Sequence, residues 1–341
     1  MANIFLTSKC NLNCSYCFAN SLVNKKCEEI TIKNFIKAVN FLKKDTNEKI
    51  GLIGGEPTLH SKFADIVNIL IEDKEIEEFT IYTNGTNLEN YINELTNKKV
   101  VLLINCNPPA KIGKEYTKLK QNIELLTKNN IKKLVLGINF NEEDDFSYIF
   151  DLLQTAKSDI LRFSIAIQKL KKYENIFDYF QKIKPKVYNF LEDCIKNEII
   201  PYNDCNAMPF CLLSYRDKRL LATHKKQAKG AGGIDLLQSA KTCKPIIDIM
   251  PNLEAARCFG FSENPKISIN RFKNLQQLKE YFYNRIDVIA NETMLKNDCK
   301  ECKHKENGKC GICYCYKNLN LKKPIDTQIF ILNRHLNPFI L

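Results

Sequence analysis

The 341-residue chain is 44% hydrophobic and 26% charged, with a formal net charge of +12, proportions that exclude a disordered polypeptide and allow a large domain beside a smaller one. No apolar run approaches the roughly 18 to 20 residues needed to cross a bilayer, and Met1 to Phe5 lacks the regions of a signal peptide, so a helical membrane protein is excluded and a cytoplasmic location is expected. Fifteen cysteines in such a reducing compartment predict metal ligands rather than disulfides.

The first predicted strand, Asn3 to Thr7, runs directly into Cys10, Cys14 and Cys17, spaced C-x3-C-x2-C. Soft thiolates suit an iron-sulfur cluster, and three of them would leave one iron of a cubane open. Tyr16 and Phe18 would shield such a cluster from water. A partial zinc knuckle is the competing reading, although zinc sites usually come as two C-x2-C halves. A redox dithiol has no use for Cys10.

A helix follows from the spacing of Ile32, Phe35, Ile36, Val39 and Leu42. The second strand, Ile50 to Ile53, ends in Gly54-Gly55-Glu56-Pro57. With Tyr16 ahead of the third cysteine, the two motifs in this order resemble the radical S-adenosylmethionine (radical SAM) superfamily. The resemblance implies a 4Fe-4S cluster on Cys10, Cys14 and Cys17, with S-adenosylmethionine (SAM) chelating the open iron and Gly54, Gly55, Glu56 and Pro57 binding its amino group.

The remaining elements keep the alternation. Phe63, Ile66, Val67 and Leu70 predict a helix, Phe79 to Thr83 a third strand, Val100 to Asn105 a fourth, Leu134 to Asn139 a fifth and Leu161 to Ile167 a sixth. Ile149, Leu152 and Leu153 mark another helix, and one from about Ile176 to Ile199 closes the series, with an early interruption expected at Pro185. Six units of this kind predict an α/β fold, and the resemblance makes it a partial (β/α)6 TIM-like barrel over residues 1–200, with its motifs at the carboxyl ends of the strands.

At those ends the resemblance points to further SAM contacts. Asn84, in Thr83-Asn84-Gly85, faces the cofactor, although a turn role alone would explain it. Asn105 and Asn107 fall near the ribose, while Gly137, Asn139, Ser164 and Ile165 fall where adenine and carboxylate contacts occur. Cys27, Cys106 and Cys194 stand apart and read as free thiols.

From about Pro201 the β/α rhythm stops and cysteines gather: Cys205, Cys211, Cys243, Cys258, Cys299, Cys302, Cys310, Cys313 and Cys315. They predict a smaller C-terminal cysteine-rich domain, residues 201–325, ahead of a tail, 326–341. The set resembles the SPASM extension of radical SAM enzymes, which implies one or two auxiliary 4Fe-4S clusters. Cys205, Cys211 and Cys258 are expected in one, Cys299, Cys302 and Cys310 in the other, with Cys243, Cys313 and Cys315 unallotted. The pattern departs from the family's in the extra Cys243 and in lacking a distant last cysteine. A zinc ribbon is the alternative for the final segment, where His304 reads equally as ligand or surface. Ser214 to Leu237, with Lys225, Lys226, Lys229 and Gly230 to Gly233, reads as a basic insertion.

The resemblance implies reductive cleavage of SAM to a 5'-deoxyadenosyl radical, hydrogen abstraction, and oxidative modification of a peptide or protein. An electron donor such as flavodoxin or ferredoxin is implied as partner. The basic balance fits an acidic peptide; nucleic acid is not expected as a partner, since no RNA-binding fingerprint is present. With no room ahead of the first strand for a peptide-recognition domain, a leader would dock on the core, the insertion or a partner. A radical SAM enzyme of small metabolites or nucleic acid, and a non-catalytic cysteine-rich binding protein, are the alternatives. The catalytic acid or base is not legible in the sequence.

Overall fold

Alternating side chains along short strands, joined by helices with one apolar face, decide the architecture of the computed structural model. It describes residues 2–17, 19–24, 28–45, 49–166, 176–206, 208–230, 243, 245–261, 266–293, 299, 301–303 and 313–316. Strands and helices alternate as β1 (Ala2–Phe5), α1 (Ile32–Leu42), β2 (Ile50–Ile53), α2 (Phe63–Glu72), β3 (Phe79–Thr83), α3 (Ile92–Leu95) and β4 (Val100–Asn105). There follow α4 (Pro109–Ile112), α5 (Glu115–Lys128), β5 (Leu134–Phe140), α6 (Tyr148–Ala156), β6 (Ile160–Ile165) and α7 (Ile176–Lys196). The last part holds β7 (Ile200–Cys205), α8 (Tyr215–Gly230), β8 (Ile247–Ile249), β9 (Glu254–Ala256), β10 (Ile267–Ser268), α9 (Leu275–Phe282) and α10 (Val288–Glu292).

The strands form one sheet in the order β10-β9-β8-β1-β2-β3-β4-β5-β6-β7. Strands β1 to β8 pair in parallel, while β9 and β10 are antiparallel additions. The sheet is open, as a partial barrel requires. The six expected strands are all present, but pairing does not stop at residue 200. Strand β7 extends the sheet beyond β6, and β8 joins the free side of β1, Ala2 opposite Ile247. The cysteine-rich third thus contributes to both edges of the sheet.

Period-two alternation sends Ala2, Ile4, Ile50, Leu52, Phe79, Ile81, Leu102, Ile104, Leu136 and Ile138 to one face, where they are buried with Phe35, Val39, Ile66 and Leu70 of the helices. Fully burying such side chains is worth roughly 1.5 to 3 kcal/mol each. A separate inner cluster of Phe5, Ile53, Met250, Ala256 and Phe259 lies on the opposite face of β1, β2 and β8.

Two local expectations fail for packing reasons. Helix α7 runs through Pro185, because Ile183, Val187, Tyr188 and Leu191 are all buried and their burial outweighs a local cost of about 3 kcal/mol. Ile36 fits the helical spacing of α1 yet is 40% exposed, whereas Ala38 and Phe41 are buried. Among the described residues no helix is long and apolar enough to cross a membrane.

Candidate active site

The cysteine loop leaves β1 at the carboxyl end of the sheet and is held by backbone contacts that only glycine permits. Gly55 N donates to Thr7 O and Glu56 N to Lys9 O, each at 2.8 Å. A Cβ on Gly54 would stand 2.6 Å from the Thr7 carbonyl oxygen, and one on Gly55 would overlap that of Lys9 and crowd Cys10. The paired glycines therefore let the backbone after β2 dock on the loop that carries the thiols.

Glu56 is fully buried and spent inside the chain. Its Oε1 accepts from Thr58 N at 3.2 Å, Thr58 Oγ1 at 2.8 Å and Thr83 Oγ1 at 2.7 Å, and its Oε2 accepts from Asn84 N at 2.7 Å. Burial pushes its carboxyl up, against these hydrogen bonds. One side chain thus ties β2 to β3. Pro57 opens the short turn Pro57–Leu59 and is buried.

Asn84 continues the bracing. Its Nδ2 donates to Asn11 Oδ1 at 2.8 Å, its Oδ1 accepts from Thr86, and Thr86 Oγ1 accepts from Asn11 Nδ2 at 2.7 Å. From the other side Asn24 grips Cys10: Cys10 N donates to Asn24 Oδ1 at 2.9 Å, and Asn24 Nδ2 donates to Cys10 O at 3.0 Å. Asn24 has a φ of 57°, a left-handed backbone that asparagine tolerates better than most residues. The sequence reading missed it.

A row of polar groups crosses β4, β5 and β6 beside the loop. Tyr16 OH donates to Asn107 Oδ1 and accepts from Asn105 Nδ2 at 3.1 Å. Asn105 Oδ1 accepts from Asn139 Nδ2 at 2.7 Å, and Asn139 Oδ1 accepts from Ser164 Oγ and, at 3.0 Å, from Arg162 Nη1. Asn105, Asn139 and Ser164, expected as cofactor contacts, are thus brought together. Arg162 was not anticipated. It pairs in register with Gly137, where a Cβ would stand 3.0 Å from Arg162 Cδ, so this glycine leaves room for the long side chain to lie over β5. The side chain of Ile165 is buried in the helix-side core, because alternation turns it away from Ser164.

Partial burial raises all three loop thiols, Cys10 to about 11. A metal offsets that penalty by binding the thiolate, so the donor set fits an iron cluster held by Cys10, Cys14 and Cys17. Lys111 lies 5.9 Å from the centre of the Tyr16 ring and 2.8 Å from Asp144 Oδ1.

The structure groups the later cysteines differently from the expected allotment. Cys258 makes a hydrogen bond with Cys315, and Cys315 with Cys313. Cys243 feels the charges of Cys258 and Cys313 and accepts from Arg257 Nη1 at 3.4 Å. The hydrogen bond with Cys315 brings Cys258 down to about 6, helped by Arg257, and the same bond pushes Cys315 up. A Cβ on Gly260 would overlap Cys315 Sγ. Cys258 therefore keeps company with Cys243, Cys313 and Cys315, the three left unallotted by spacing, because the β8–β9 hairpin brings Cys243 and Cys258 to one place.

Cys205 and Cys211 are exposed, and Cys299 and Cys302 half-buried. Cys310 and His304, Ala231 to Gly233 beyond α8, Phe18 and Cys27 lie outside the described residues. Cys106 and Cys194 are buried, and burial raises both thiols, Cys106 to about 12. As placed, no group of three or more His, Cys, Asp or Glu side chains among the described residues forms a site for a metal ion.

A model of the Radical SAM superfamily matches residues 4–153. The probable GTP 3',8-cyclase of Archaeoglobus fulgidus is 33% identical over 156 residues, 42% of this chain and 51% of that protein. The chain spans about half the length of this relative and of the GTP 3',8-cyclase of Clostridium perfringens. Among solved structures, Streptococcus suis SuiB bound to SAM matches 92% of this chain and 72% of its own at TM-score 0.65 and 14% identity. Native anSMEcpe with bound AdoMet matches 94% and 93% at TM-score 0.65 and 16% identity, so both share the fold. The segment that builds most of this strand-end face, residues 4–153, is thus the part of the chain that matches the Radical SAM superfamily.

Proposed function

We propose that the chain is a radical SAM enzyme that oxidatively modifies a peptide or protein. The observation that carries the reading is the loop of Cys10, Cys14 and Cys17, braced from β2, β3 and β4 by Gly55, Asn84 and Asn107. When bound there, the cluster and SAM together supply a 5'-deoxyadenosyl radical that abstracts hydrogen from substrate, the chemistry being the cofactor's own. The protein's part is to hold and orient. Cys10, Cys14 and Cys17 would ligate the iron, the backbone of Gly54 to Glu56 would lie along the amino group of SAM, and the Asn105, Asn139 and Ser164 row would position its adenosyl end.

The C-terminal thiols are read as a SPASM-like region, with Cys243, Cys258, Cys313 and Cys315 as one auxiliary iron-sulfur centre. Cys299, Cys302 and Cys310 would belong to a second. Peptide substrates are supported by the fold shared with SuiB, one of whose solved structures is bound to the precursor peptide SuiA and covers 92% of this chain. An electron donor of the flavodoxin or ferredoxin class and a cytoplasmic location go with this reading.

A nucleotide substrate is the second reading, favoured by the GTP 3',8-cyclase relatives. Their similarity covers 42% to 45% of this chain, less than the sheet and its additions.

The test is SAM cleavage by the anaerobically reconstituted, reduced protein. Deoxyadenosine is expected from the native chain and none from the Cys10→Ala, Cys14→Ala, Cys17→Ala variant; none from the native chain with its first cluster present would sink the proposal. Stimulation of turnover by a short peptide encoded beside the gene supports the peptide reading, and stimulation by GTP alone replaces it with the nucleotide one.

A further inference from the structure

Arg257 is 1% exposed, and its guanidinium is engaged on every edge. Nε donates to Asp287 Oδ2 at 2.8 Å and Nη2 to Asp287 Oδ1, while Nη2 also reaches the Cys243 carbonyl oxygen at 3.1 Å. Nη1 faces away from the carboxylate, 3.4 Å from Cys243 Sγ and 4.0 Å from Cys258 Sγ. The rings of Phe261 and Tyr314 lie 5.6 and 5.1 Å from the guanidinium. Asp287 is also 1% exposed and ends the π-helical turn Tyr283–Asp287 between α9 and α10.

A buried ion pair is a poor way to gain stability, because an apolar pair of similar volume is often as good or better. An arginine here is explained by what Nη1 touches. Guanidinium stays charged under all ordinary conditions and offers donors in a fixed plane. Hydrogen bonds and positive charge at the sulfurs of an iron cluster favour its more negative, reduced form. Asp287 occupies the opposite edge, so it fixes the plane without intervening between Nη1 and the sulfurs.

We propose that Arg257, held by Asp287, is a positioning residue for the thiol centre of Cys243, Cys258, Cys313 and Cys315 that raises its reduction potential through Nη1. This rests on the reading of those thiols as iron-sulfur ligands. The electrostatics make opposite demands of the two partners: removing the guanidinium lowers the potential, whereas neutralising Asp287 leaves its charge less compensated and raises it. A purely structural pair would not give opposite signs.

The experiment uses the full-length Cys10→Ala, Cys14→Ala, Cys17→Ala variant, reconstituted anaerobically so that only later centres signal. Iron, sulfide and zinc are counted, and midpoint potentials are read by paramagnetic-resonance titration. Arg257→Met is expected to shift one centre to more negative potential, and Asp287→Asn to shift the same centre to more positive potential with iron retained. Unchanged potentials, shifts of the same sign, or loss of iron in Asp287→Asn overturn the inference while leaving the cluster reading intact. Zinc, or no metal, in the parent variant overturns both, and is recognised before any potential is measured. If Arg257→Met does not fold, the sign of the Asp287→Asn shift decides.

Discussion

Asn84 at the end of β3 donates from Nδ2 to Asn11 Oδ1 across 2.8 Å, between Cys10 and Cys14 in sequence. This bond makes a strand end responsible for the shape of the loop that carries Cys10, Cys14 and Cys17. Asn84→Ala removes it and leaves Asn11 Oδ1 and the Thr86 donors short of a partner. A loss of about 1 to 2 kcal/mol is expected, read by denaturant unfolding, with less iron retained by the first cluster. Asn84→Asp, which keeps only the acceptor toward Thr86, should retain part of the stability.

Gly55→Ala places a methyl group against the Lys9 carbonyl, a backbone atom that cannot swing aside. The docking of β2 on the cysteine loop must then open. Destabilisation of about 1 to 3 kcal/mol is expected, with loss of the first cluster's absorbance after reconstitution. Gly113→Ala is the control: its site is open, and only its φ of 52° resists the substitution.

Tyr16→Phe deletes the hydroxyl that joins Asn105 and Asn107. Both amides lose a buried partner, so the row leading to Asn139 and Ser164 loosens. SAM binding measured by calorimetry should weaken about tenfold, equivalent to about 1.4 kcal/mol, while iron content stays near that of the native chain. Unaltered SAM affinity would show that the row does not position the cofactor.

Glu29 supplies a pH signature next to the loop. Although burial acts against it, hydrogen bonds from Ser61 and Lys9 hold its carboxyl at about 2, below its ordinary 4.5. A depressed carboxyl contributes stability that is complete above the unfolded value and is lost as pH falls through the folded one. Between pH 4.5 and about 2, the native chain should therefore lose more stability than Glu29→Gln. Urea titrations of the two apoproteins at pH 5 and pH 3 check this, and parallel losses would refute it.

Much of this was legible from local pattern. The third and fourth strands and the second begin and end where β-branched alternation places them, because a half-buried strand must alternate to bury one face. Cys10, Cys14, Cys17 and Gly54 to Pro57 lie within short stretches directly after β1 and β2, so residue type and spacing alone place each motif at a strand end. The later cysteines were less legible. Cys243 and Cys258 are brought together by the β8–β9 hairpin, and Cys313 and Cys315 return to them from more than fifty residues away in sequence. Spacing says nothing about such a return.

Sequence by itself determined the alternation of strand and helix, the three-thiol loop and the glycines after β2, since each follows from residue type and short-range spacing. Tertiary structure alone decided that the glycines serve the loop's own backbone, that Glu56 is consumed as a brace, that Arg162 crosses β5 over Gly137, and that Cys258 stands with Cys243, Cys313 and Cys315 against Arg257. These depend on which distant backbones come within hydrogen-bonding reach, a property of strand order and register rather than of any local run of residues.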